Sequence, residues 1–121
     1  MSTSYVEYRG HGFWSYDDYL EQALALVAEE IGESLEEDWQ VQLRDHWRSQ
    51  SSGVYRSWIH PQLDEYITDN ARTEKLIMWI RLVAGRNGIS REVLEIVKLI
   101  ESLVRGQLST NEASPRDYMV T

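Results

Sequence analysis

The stretch Ser15-Tyr-Asp-Asp-Tyr-Leu-Glu-Gln-Ala-Leu-Ala-Leu-Val-Ala-Glu-Glu-Ile-Gly32 decides the fold class. Its apolar residues fall at 16, 20, 23, 24, 27 and 31, the spacing of one face of an α-helix. Ser15 is placed as an N-cap, Asp18 three residues on serves as its short capping partner, and Gly32 closes the run. A helix over about 16–31 follows.

The same reasoning extends outward. Ser34 and Glu37 have capping-box spacing, so the next helix is expected over about 35–49, with Leu35, Trp39, Leu43 and Trp47 along one face. So short a turn makes the two helices antiparallel neighbours. Pro61 suits the first turn of a short third helix that carries Leu63, Tyr66 and Ile67. Leu76, Ile77, Trp79, Ile80 and Val83 give a fourth helix over about 72–85. Ser90 caps a fifth, with a broad apolar stripe from Val93 to Val104, ended by Gly106. The segment Tyr8-Arg-Gly-His-Gly-Phe-Trp14 alternates turn formers with rings and reads as an ordered loop. The expected architecture is all-α: a single-domain bundle of about five helices over 15–107, an N-terminal ordered loop over 1–14, and a mobile tail over 108–121.

Charge and aromatic rings crowd into the same half of the chain. Residues 1–70 hold fourteen Asp/Glu against four Lys/Arg, whereas 71–121 hold six against eight. The net charge is −8 and the pI about 4.8, which argues against nucleic acid as a partner, because phosphates would be repelled. Eleven of the thirteen aromatics also precede residue 70. A small bundle has limited room for such rings, and Tyr and Trp beside carboxylates are the chemistry of a contact surface for a basic protein. With no cysteine, neither disulfide nor thiolate metal chemistry is available. No signal sequence or membrane-length apolar run is visible, so a cytoplasmic location is the default expectation.

Several local strings resemble known sites. Leu24 to Glu33 is similar to the first metal-binding helix of the MazG-like nucleotide pyrophosphatases, in which Glu30 and Glu33 would supply an E-x-x-E pair; the matching E-x-x-D is missing from residues 60–80. Ala84-Gly-Arg-Asn-Gly-Ile-Ser90 resembles the turn of a helix-turn-helix, yet the exposed positions of the following helix, Arg91, Glu92, Glu95, Lys98 and Glu101, sum to −1. Arg56-Ser-Trp-Ile-His60 resembles the arginine–histidine motif of the HEPN ribonucleases, with three intervening residues where that family has four to six. His11, His46 and His60 have no zinc spacing. No catalytic or cofactor-binding constellation is complete, so no enzyme activity, metal or cofactor is expected.

The whole profile, small, acidic and cysteine-free with an aromatic N-terminal segment, resembles the immunity proteins that neutralise bacterial polymorphic or contact-delivered toxins. That resemblance implies a one-to-one inhibitor of a cognate toxin domain, often a nuclease, whose basic groove an acidic surface occludes. The candidate partner-binding residues are Trp14, Tyr55 and Trp58 as apolar anchors, because they are the large rings a helical stripe least needs. Glu33, Glu36, Glu37 and Asp38 are the candidate charged patch. A homodimer that hides its aromatics in its own interface is the competing partner.

Overall fold

The computed structural model describes residues 2–108. Two strands, β1 (Thr3–Tyr8) and β2 (His11–Tyr16), precede five helices: α1 (Asp17–Gly32), α2 (Asp38–Gln50), α3 (Leu63–Tyr66), α4 (Asn70–Ala84) and α5 (Arg91–Val104). The all-α expectation is therefore corrected. The N-terminal segment is an antiparallel hairpin, with Thr3 opposite Tyr16, Tyr5 opposite Trp14 and Tyr8 opposite His11. The expected mobile tail lies outside the described residues except for Leu108.

Arg9 and Gly10 form the two-residue hairpin turn, both at positive φ (50° and 82°), the primed geometry that matches strand twist. Asn or Asp usually takes the first of these positions, and the Arg hides the signal. The strand alternation is masked as well. Ser4, Val6, Tyr8, Phe13 and Ser15 are buried, while Tyr5, Trp14 and Tyr16 on the other face are rings rather than polar residues. Period two is hard to see when both faces look apolar. Gly12 is required by a close approach: a Cβ there would run into the Val6 carbonyl and the Tyr5 ring. The Tyr5 ring also leans on Trp14, 5.2 Å between centroids.

The hairpin, α1, α2, α4 and α5 share one core in which Phe13, Leu20, Leu24, Trp47, Trp79 and Ile100 are fully enclosed. α1 packs along α2 and also against α4 and α5, so it is the central helix. Trp39, Leu43 and Trp47 form the buried face of α2 as their spacing requires. The capping box ahead of it does not form. Ser34 Oγ instead accepts the Trp79 indole N–H at 3.1 Å, Leu35 turns to solvent, and the helix starts at Asp38. Ser15 does not cap α1 either; its hydroxyl donates to the Tyr16 carbonyl at 3.1 Å. Two caps are made: Asp69 accepts from the Arg72 N–H at 2.8 Å, and Ser90 from the Val93 N–H at 3.2 Å. No described helix is long and apolar enough to cross a membrane.

Candidate partner-binding site

The segment between α2 and α3 does not follow a helical or strand pattern, and its side chains point the wrong way for a core. Val54 is 78 % exposed, Tyr55 39 % and Trp58 83 %, while the adjacent Ile59 is buried. An indole in water forfeits roughly 2 kcal/mol or more of hydrophobic stabilisation that burial would supply. A loose loop would fold such a ring back onto the protein. Here the backbone prevents it.

The Tyr55 carbonyl accepts the Trp58 N–H at 2.8 Å, closing a turn whose third residue, Ser57, sits at φ 76°. That left-handed position is normally glycine's and costs a serine about 1 kcal/mol. The turn holds because the surrounding protein over-determines it. Asp17, fully buried at the start of α1, accepts the Ser57 N–H on Oδ2 at 2.6 Å and the Ser4 hydroxyl on Oδ1 at 2.5 Å. Ser4 Oγ in turn accepts the Ile59 N–H at 3.1 Å. From the other side, Gln50 Oε1 accepts the His60 N–H at 2.7 Å, and the Trp47 indole donates to the Pro61 carbonyl at 2.9 Å. The residues flanking Trp58 are thus fixed by β1, α1 and α2, and the indole is left pointing outward.

Arg56 adds an electrostatic brace. Its guanidinium binds Asp18 and, at 2.8 Å, Glu21 Oε1. The Asp18 hydrogen bond, then the charge of Glu21, hold its proton above the ordinary arginine range. Glu21 is buried, and its Oε2 makes no hydrogen bond to the described residues, so Arg56 is what offsets the cost of that carboxylate. Asp18, Glu21 and Arg56 line a shallow recess with Tyr19, Gln22 and Ser51 beside the exposed turn.

The seven sequence-predicted residues fall into two groups. Tyr55 and Trp58 lie on the pinned turn. Trp14 is at the same end of the molecule, since Ser57 and Ile59 are tied to Asp17 and Ser4, but it is half-buried on the outer hairpin face against Tyr5. Glu33, Glu36, Glu37 and Asp38 lie at the opposite end of α1. Its sixteen residues span about 24 Å at 1.5 Å per residue. Two of those carboxylates have partners within the chain: Glu36 meets Lys75 Nζ at 3.1 Å, and Glu37 accepts the Trp39 indole N–H at 2.5 Å. Glu33 and Asp38 face solvent.

Sequence reasoning missed Val54 and the supporting set Asp17, Glu21, Arg56 and Ser57. The adjacent acids Asp17-Asp18 and the lone arginine in an uncharged stretch were the available signals. Arg56 and His60 engage different elements: Arg56 reaches α1, while His60 Nδ1 accepts the Gln62 N–H at 3.1 Å. Glu30 is paired with Arg86 at 3.2 Å. Among the described residues no group of three or more His, Asp or Glu is arranged to hold a metal ion. No protein-family model matches the chain, and no curated protein or solved structure shows significant similarity to it.

Proposed function

We propose that this chain is a non-enzymatic binding protein that inserts the Trp58 turn into a basic protein partner, and that its role is of the immunity type: one-to-one neutralisation of a toxin domain. One observation carries the reading. A tryptophan 83 % exposed stands on a strained turn held by a buried carboxylate and two ion pairs. Stored strain around an outward apolar side chain is what a preorganised anchor requires, because little ordering entropy remains to be lost on docking. Indole anchors at the centre of an interface are worth roughly 2–4 kcal/mol on truncation.

The charge supports a basic partner. A net −8 attracts a cationic groove over a Debye length of about 8 Å at physiological salt and steers encounter toward ~10⁸ M⁻¹s⁻¹ at low salt. A nuclease toxin is the class whose active-site groove must be basic, which makes it the preferred target and leaves nucleic acid itself disfavoured as a ligand. The test is calorimetric titration against the toxin domain encoded beside this chain's gene, with a parallel assay of that domain's activity. Tight one-to-one binding with loss of toxin activity supports the proposal. Failure to bind, or magnesium-dependent nucleoside triphosphate hydrolysis that disappears in Glu30→Gln and Glu33→Gln, overturns it.

A further inference from the structure

A second exposed apolar surface lies on α4, formed by residues other than those of the Trp58 turn. Its outward face carries Ala71, Met78 and Leu82, with Met78 39 % and Leu82 50 % exposed at the centre. A shallow groove there is lined by Glu74, Ile77, Met78, Arg81 and Leu82. Glu74 and Arg81 are seven residues apart, which puts them on the same flank of the stripe, one turn before and one turn after Met78. Arg81 is held by Glu101 through a 3.4 Å contact at Nε and is otherwise 63 % exposed.

That pattern is complementary to itself. We propose that this face is the contact for a second copy of the chain, with α4 antiparallel to α4 about a two-fold axis beside Met78. A two-fold axis keeps each flank in register with the same flank of its copy while reversing direction. Glu74 of each copy then meets Arg81 of the other, giving two reciprocal ion pairs around a centre in which each Met78 enters the facing groove. α4 itself carries Arg72, Lys75 and Arg81 against Glu74, a positive formal charge that offsets part of the repulsion between two chains of net −8, although Lys75 and Arg81 also pair with Glu36 and Glu101. One helix face is at the small end of specific interfaces, so the association depends on concentration.

Sedimentation equilibrium over a wide concentration range tests this without any other partner. The wild-type mass should climb from 14.2 kDa toward twice that value. Met78→Glu should hold it at the monomer value. Glu74→Arg should weaken association about tenfold or more, and the swap Glu74→Arg with Arg81→Glu should recover much of the loss. These positions are exposed, so the variants should fold, and far-UV circular dichroism checks that they do. A constant monomer mass overturns the proposal, and so does a dimer that survives Met78→Glu but is lost in Trp58→Ala. Because the Trp58 turn takes no part, failure here leaves the proposed function standing, and loss of toxin binding leaves this dimer standing.

Discussion

The two ends of α1 are both acidic and both were candidates for contact, yet they are built in opposite ways. At the N-terminal end, Asp17 and Glu21 are buried and spend their hydrogen bonds holding the 55–59 turn. At the C-terminal end, Glu33, Glu36, Glu37 and Asp38 remain in water, with at most a surface ion pair or one indole contact. A buried carboxylate contributes rigidity and is costly to remove. An exposed one contributes long-range field and very little stability. Under the proposed function, that difference suits one end to short-range anchoring and the other to steering.

The largest expected effect of breaking that comparison is at Asp17. Asp17→Ala leaves the Ser57 N–H and the Ser4 hydroxyl without their acceptor, and should cost about 3 kcal/mol of unfolding free energy in a denaturant titration. The quadruple variant Glu33→Gln, Glu36→Gln, Glu37→Gln, Asp38→Asn should stay within about 0.5 kcal/mol of the parent. Equal losses for the two variants would erase the distinction.

Trp58→Ala is next. It should raise the dissociation rate from the partner about 30-fold, or ~2 kcal/mol, while leaving the melting temperature nearly unchanged. The opposite result, lost stability with intact binding, would make the ring a structural cap. The quadruple amide variant should act on the other rate constant, slowing association by roughly tenfold at low salt and much less at high salt, with dissociation almost unaffected. An association rate insensitive to salt would remove the steering role.

The smallest effect is alkaline. The Tyr5 and Tyr66 phenols are pushed above their ordinary 10.0, each first by burial and then by an adjacent carboxylate, Glu7 and Glu65 respectively. The folded chain therefore holds these protons more tightly than the unfolded one. Stability from this source is complete below pH 10 and declines as pH rises through the raised values. Tyr5→Phe should flatten part of that decline. An unchanged alkaline slope would mean the hairpin face is more open to water than its packing indicates.

The helices were legible because their determinants are local. Apolar spacing located α1, α4 and α5 to within one or two residues, and the Ser90 cap and the Trp39–Leu43–Trp47 face form as read. The hairpin was not legible: its turn begins with Arg9, and its outer face carries rings, so neither the usual turn residues nor a clean alternation marked it. Ser34 looked like a cap and became instead the acceptor for Trp79, forty-five residues away.

By itself, then, the sequence determined an acidic, cysteine-free, mostly helical chain with aromatic rings in excess of its core. Only the tertiary structure decided which rings those are. Tyr8 and Tyr55 look equally dispensable as letters, yet Tyr8 is buried with its hydroxyl on the Ile67 carbonyl at 3.0 Å, and Tyr55 stands in solvent. Trp58 is held outward by a turn in which Asp17 accepts the N–H of Ser57, forty positions later in the chain. Helical spacing repeats every few residues and can be read along the chain; a hydrogen bond across forty residues exists only once the chain has folded.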